Sequence, residues 1–430
     1  MAISIFILIL VFFSLLVLNV PIALAIGIAT SLSMIVTIPL LPALTTVAQQ
    51  MATGINSFSL LAIPFFIFSG YIMAQGGIAN RLINFAKVIV SALPGGLAYV
   101  NVIACMFFGA ISGSAAAATS AVGGVMIQSM NKEGYNKNFN TALTVTSSTT
   151  GLLIPPSNIL IIYSLASGGV SISALFIAGY VPGILIGLSL IFVAGIMSNI
   201  KGYPRGRSYK MKEIISRSFD AIPSLFLIYI VIGGIIKGIF TATEASAVAV
   251  LYSLFLGFLY KEIKLVQIPD LLLKTVETTS IVMLLIGTSK AMSWLLSYLN
   301  VPQGISSYLI SLTDNIFLLL LVINLLLLIV GTFMDMTPAV LIFTPILLPV
   351  VMELGIDPLH FGIIMILNLC IGLCTPPVGS VLFLGCGIGK TSIDKLIGPL
   401  MPFYIAMIFV LLLITYFPEL SLWLPRYLGY

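Results

Sequence analysis

The chain has 430 residues, of which 60% are hydrophobic and only 7% charged, with a mean hydropathy of +1.21. A soluble domain carries charge on about a quarter of its residues, so this composition excludes a soluble fold and describes an all-α polytopic membrane protein with room for roughly ten to twelve crossings, of which the threading below uses about 10. The net charge of +5 is then a statement about topology with nothing to favour a nucleic-acid partner, and the single histidine, His360, excludes chemistry built on a histidine cluster.

In chain order, the N-terminal stretch MAISIFILILVFFSLLVLNV lacks a basic n-region and reads as a retained membrane segment. With the N-terminus outside, crossings fall near 2–19, 21–39, 58–74, 139–168 and 172–198. Residues 42–56 are too short and polar to cross and read as a helix lying along the interface. Residues 94–131 read as a re-entrant hairpin opening to the cytoplasm, with the tip GAISGSAAAATS. The crossing at 139–168 is broken by Pro155 and Pro156, which remove two backbone donors within an apolar run.

The stretch 201–218 carries six of the 18 basic residues and reads as a cytoplasmic connecting loop. Beyond it the landmarks repeat at an offset of 221 or 222. Asn19 falls on Thr241, Gly109 on Gly331, Gly134 on Gly355, and Pro155-Pro156 on Pro376-Pro377. The chain therefore reads as two copies, 1–200 and 219–430. With an odd number of crossings each, the second copy is inverted.

The second copy predicts crossings near 220–240, 242–260, 275–299, 358–389 (broken at Pro376-Pro377) and 398–417. It also predicts an interfacial helix at 261–274 and a hairpin at 315–352 that opens to the outside, with the C-terminus outside. This threading puts 15 of the 18 basic residues inside, leaving Lys237 and Arg426 outside and Lys290 within a span. Thr241 and Glu244 read as a capping box. Cys105, Cys370, Cys374 and Cys386 read as small packing residues.

Inverted copies with interrupted helices are a way to build a transport site at the membrane midplane. Freed carbonyls and hydroxyls suit a hard cation such as sodium, and a half-helix N-terminus suits an anion. The alternative is a proline kink satisfied by neighbouring helices. The first sodium site is expected at Ser112 and Ser114 with the carbonyls of Gly151, Ile154 and Pro156. The second is expected at Thr332, Asp335 and Thr337 with Gly372, Thr375 and Pro377. An intramembrane carboxylate such as Asp335 marks a function by default, although it could instead cap the hairpin.

No arginine occupies a hairpin or a break, so an anionic substrate would be held by helix ends and by Thr119, Ser148, Ser157 and Asn158. Lys290 could contact an anionic substrate, pair with an acid or snorkel. A membrane-embedded hydrolase using Ser114 lacks a histidine or lysine placed to activate it. A channel would differ in ignoring the sodium gradient.

The segments FFGAISGSAAAATSAVGG, GLLIPPSNILIIYSLASGGVSI, GIFTATEASAVAV and CIGLCTPPVGSVLFLGCGIGKTSI together resemble the large membrane subunit of the tripartite ATP-independent periplasmic (TRAP) transporters. The resemblance spans essentially the whole chain, with Ala242 standing where many members have proline. It implies a sodium-driven elevator importer in the bacterial inner membrane, with both termini periplasmic and two or more sodium ions co-transported. The implied partners are a small four-helix membrane subunit and a soluble periplasmic binding protein. The implied substrate is an organic acid of the C4-dicarboxylate or sialic-acid class, the first hairpin being most similar to the sialic-acid branch. A sodium/carboxylate symporter that works without a binding protein is the alternative.

Overall fold

The computed structural model describes residues 2–312 and 315–430. Among these the chain forms twenty α-helices and no sheet. Apolar backbone in lipid must satisfy its own hydrogen bonds, which selects helices. The helices are α1 (Ala2–Val17), α2 (Ile22–Thr37), α3 (Leu40–Ile55), α4 (Ala62–Gln75) and α5 (Ile78–Val90). A hairpin follows, α6 (Gly96–Ser112) and α7 (Ala115–Lys132), and then a broken helix, α8 (Lys137–Ser148) and α9 (Asn158–Ala166), and α10 (Ile172–Ile200).

The later part comprises α11 (Met211–Ile236), α12 (Ala242–Leu259), α13 (Ile268–Tyr298) and α14 (Val301–Leu312). A second hairpin follows, α15 (Ile316–Phe333) and α16 (Met336–Glu353), then a second broken helix, α17 (Pro358–Gly372) and α18 (Ser380–Gly389), and α19 (Ile393–Tyr416) and α20 (Glu419–Tyr427). Eight helices among the described residues are long and apolar enough to cross a membrane.

Helix starts repeat at one offset: α7 at 115 and α16 at 336, α8 at 137 and α17 at 358, α10 at 172 and α19 at 393, each displaced by 221 residues. The packing repeats with partners exchanged. The second helix of the first set, α2, packs on α13, and the second helix of the second set, α12, packs on α4, whose equivalent at offset 221 is the later part of α13. In the same way α7 packs on α18 and α16 on α9, while α8 packs on α19 and α17 on α10. Such exchange is what a twofold relation between the copies produces. Near its axis equivalent residues must meet, and the Cys370 thiol lies 3.6 Å from the carbonyl of Thr149, its counterpart at offset 221.

Glycine makes the closest approaches. A Cβ on Gly109 would lie 2.5 Å from the Gly151 Cα, and one on Gly372 would lie 2.5 Å from the Gly331 Cα. Each hairpin thus touches its own broken helix backbone to backbone, the contact that small residues permit in membranes.

One expectation is corrected. Residues 261–274 are not a separate interfacial helix, because Ile268–Tyr298 is a single helix of 31 residues, about 46 Å long. In the first copy, Gly54 stands in the last turn of α3 and Asn56 and Ser57 follow its end, whereas the equivalent positions of the second copy read Thr275-Val276-Glu277-Thr278 and offer no breaker. The short helices α5, α14 and α20 were also not anticipated. With no long apolar run, they leave little hydropathy signal.

Gly109→Ala is expected to lower the unfolding temperature of the detergent-solubilised protein, at a cost of ~1–3 kcal/mol, because backbone must move to admit the methyl group. Gly398→Ala, with nothing within 4 Å of the added Cβ, should leave stability unchanged or raise it by up to ~1 kcal/mol through helix propensity. Equal losses in a thermal-shift measurement would contradict the backbone contact.

Candidate functional site

Both hairpin turns are two-residue reversals set by their own chemistry. Gly113 closes α6 in the left-handed region at φ 59°, its N–H donating to the Gly109 carbonyl at 2.7 Å. Ser114 then opens α7, its Oγ accepting from the Ala117 N–H at 3.2 Å. In the second hairpin, Met334 ends α15 in extended backbone and Asp335 stands at the start of α16 without capping it through its side chain.

The two tips and both helix breaks meet around one cavity of about 740 Å³. Ser112, Ser114, Ser120 and Asn158 line it from the first copy, and Asp335, Thr337, Leu373 and Ser380 from the second. The opposite wall is formed by α4 and α13, whose Tyr71 and Thr278 are joined by a 2.8 Å hydrogen bond between their hydroxyls, with Gln75 beside them. Among the described residues Asp335 is the only charged side chain in this lining.

At the first break the tip is pressed onto the start of α9. A Cβ on Gly113 would lie 3.1 Å from the Pro156 carbonyl oxygen and 3.3 Å from the Asn158 nitrogen. Ser157 makes no side-chain cap to α9. Ser157 Oγ and Asn158 Oδ1 are buried without a hydrogen-bond partner among the described residues. A buried polar atom left unpaired costs about 1–3 kcal/mol, so this break holds oxygen atoms suited to a cation or to a ligand donor. Of the expected first-site residues, Ser112 is buried with its Oγ 3.5 Å from the Ser114 carbonyl oxygen. Gly151, Ile154 and Pro156 lie buried in the break.

The second break has the same plan with different atoms. A Cβ on Gly379 would sit 2.8 Å from the carbonyl oxygens of both Leu373 and Thr375, so two carbonyls converge where glycine leaves room. Thr375 Oγ1 donates to the Ile371 carbonyl at 2.7 Å, and Thr332 Oγ1 to that of Ile329 at 2.7 Å. The Thr332 carbonyl accepts from the Val378 N–H at 3.1 Å, which ties the tip to the segment following Pro377. Gly372 lies against Gly331, and Thr337 lines the cavity.

Asp335 is exposed in this cavity rather than embedded in apolar surroundings, and its Oδ1 accepts from Ser380 Oγ at 3.0 Å. Among the described residues no three of His, Cys, Asp and Glu are grouped as a metal site. The oxygens gathered at the breaks are instead carbonyls and hydroxyls, the donor set of hard cations.

The anion-contact residues divide. Asn158 lines the cavity and Ser157 is buried beside it. Thr119 and Ser148 are fully buried and occupied with each other, 2.7 Å apart between hydroxyl oxygens, so they tie α7 to α8 and stand outside the lining. Lys290 also stands outside it: it is exposed on α13, with its Cβ 2.7 Å from where a Cβ on Gly54 of α3 would be. Tyr71, Gln75, Thr278, Ser380 and Gly379 escaped the sequence reading. Gly379 and Ser380 stand two and three residues after Pro377, a signal that was present, whereas Tyr71, Gln75 and Thr278 sit in ordinary helical sequence.

The family model described as "Tripartite ATP-independent periplasmic transporter, DctM component" matches residues 9–420. Over 407 residues the chain is 53% identical to an uncharacterised protein, YgiK, of Salmonella typhimurium, covering 95% of this chain and 94% of that one. It is 37% identical to the C4-dicarboxylate TRAP transporter large permease protein DctM of Rhodobacter capsulatus, covering 96% of each. To the sialic acid TRAP transporter large permease protein SiaM of Vibrio cholerae it is 40% identical, covering 89% and 90%. Its fold is similar to that of the YdaH transporter of Alcanivorax borkumensis, with a TM-score of 0.64 at 13% identity over 88% of this chain and 87% of that one.

Cysteine replacements at Ser114 and Thr337 are expected to react with a small hydrophilic thiol reagent at least about tenfold faster than the native cysteines, all four of which are buried. Labelling at the background rate at both positions would contradict a shared water-accessible cavity.

Proposed function

Because the chain belongs to the tripartite ATP-independent periplasmic transporters as a DctM component, we propose that it is the large membrane subunit of a sodium-coupled organic-acid importer. The observation that carries this reading is the meeting of two hairpin tips and two broken helices around one cavity whose only charged side chain among the described residues is that of Asp335. An organic anion entering such a cavity meets a like charge and, among the described lining residues, no guanidinium or ammonium group.

Cations bound at the breaks reverse that balance. Opposite charges 4 Å apart attract by ~4 kcal/mol at an effective dielectric near 20. The acid is then held well only when sodium is present, and by linkage sodium is held better when the acid is present. In this reading the first sodium ion is coordinated by Ser112, Ser114 and the carbonyls of Gly151, Ile154 and Pro156. The second is coordinated by Thr332, Asp335, Thr337 and the carbonyls of Gly372, Thr375 and Pro377. The acid contacts Asn158, Ser157 and the uncapped amides at the start of α9.

The hairpins and broken helices form one body facing α4 and α13, and its sliding past that wall would carry the cavity across the membrane as an elevator. Inversion of the two copies gives the two end states equivalent contacts. Transport, with no bond made or broken, is the activity. The protein works in the bacterial inner membrane with both termini periplasmic, alongside a small four-helix membrane subunit and a periplasmic binding protein. The substrate belongs to the C4-dicarboxylate or sialic-acid class named for its relatives. Two sodium ions with a monovalent acid move one net charge, worth about 2.3 kcal/mol per 100 mV.

In proteoliposomes with its partner subunits, uptake of the acid should require an inward sodium gradient. Asp335→Ala and Ser112→Ala should each reduce uptake by at least about a hundredfold, the loss of one transition-critical electrostatic contact, while the protein remains folded by thermal shift. Full uptake by both variants would overturn the site assignment. Uptake indifferent to sodium would favour a channel.

A further inference from the structure

The joint between the copies is ordered. Tyr203 stacks on Tyr135 with ring centroids 4.3 Å apart, and its hydroxyl accepts from the Asn136 N–H at 3.1 Å. The Pro204 carbonyl accepts from the Gly95 N–H at 3.2 Å, and the Arg207 carbonyl from Ser91 Oγ at 2.8 Å. The loop backbone is thereby fastened across the base of the first hairpin, which presents its cations from a fixed platform.

Arg205, Arg207, Lys210 and Lys212 are exposed on that platform. Glu213 neutralises Arg207 at 2.9 Å, the one ion pair of this segment among the described residues, and Asp220 stands farther along α11. Arg207 and Arg217 both face the Tyr209 ring, at 5.5 and 4.6 Å from its centroid. Lys87 of α5, which packs on α11, adds a cation from a second element. Its ammonium is held below the ordinary lysine range, first by burial and then by the charge of Arg217, with Glu133 acting the other way. Like charges are thus gathered with too few carboxylates to balance them.

What borders this cluster is apolar and open. Met211, Ile215 and Phe219 are 69%, 50% and 67% exposed, one face of α11 at helical spacing. The helix has 26 residues, about 39 Å, against a hydrocarbon core of about 30 Å. Its first turns therefore stand at headgroup level, with cations beside a lipid-facing stripe.

We propose that the 205–217 platform is a binding site for the headgroups of anionic phospholipids, whose acyl chains lie along Met211, Ile215 and Phe219. Charge complementarity selects the headgroup, and the adjoining stripe selects a lipid over a soluble anion.

The test uses the purified full-length chain in a neutral detergent with fluorescently labelled phosphatidylglycerol. Unlabelled phosphatidylglycerol should compete at least about tenfold better than phosphatidylcholine. The triple variant Arg205→Gln, Lys210→Gln, Lys212→Gln should weaken binding by about a hundredfold. Because all three side chains are exposed, the variant should fold, and Lys237→Gln with Arg426→Gln serves as the control that leaves binding unchanged. Equal competition by the two lipids, undiminished binding by the triple variant, or complete displacement by millimolar inorganic phosphate would each overturn the assignment.

Discussion

A backbone amide or carbonyl at membrane depth has no water to turn to, and each one left unpaired costs several kcal/mol. This chain interrupts two helices between Ser148 and Asn158 and between Gly372 and Ser380. The arrangement around the breaks follows from that constraint. Some freed groups are satisfied within the protein, as when the Leu373 carbonyl accepts from the Leu382 N–H at 3.3 Å. Beside them the side-chain atoms Ser157 Oγ and Asn158 Oδ1 are buried without a hydrogen-bond partner among the described residues.

Backbone contact makes the constraint affordable on both sides of the structure. Gly109 against Gly151 and Gly331 against Gly372 bring each hairpin to its own break, and the tips Gly113-Ser114 and Met334-Asp335 come to rest on the same space. The exchange of partners, with α7 on α18 and α16 on α9, binds the two copies into one body. The wall opposite, α4 with α12 and α13 with α2 and α3, has its own packing. The cavity is thus lined by the tips and breaks on one side and by α4 and α13 on the other, with α13 also packed on α16.

Much of this was legible because the constraint leaves a local mark. Paired prolines, small residues at the tips and an offset of 221 are properties of the chain itself, and the helix starts at 115 and 336 or 172 and 393 follow them closely. Less legible was which hydroxyls face the cavity. Thr119 and Ser148 are polar residues in apolar helices, as ligands would be, yet they bond to each other. Only packing distinguishes those cases. Lys290 was conspicuous as a charge within a span, but its place against α3 depends on how two distant helices meet. The continuous α13 was missed because the two copies have diverged at the Gly54–Ser57 break.

Sodium coupling, as proposed, depends on cations held at both breaks by carbonyl and hydroxyl oxygens. A density map of the chain with its partner subunits, determined once in sodium and once in choline, tests this most directly. The account predicts a compact density at each break, one between the first tip and Ser157 and one beside Gly379, present in sodium and lost in choline. Breaks without such density in either salt, or with maps that do not differ between the two, would contradict it.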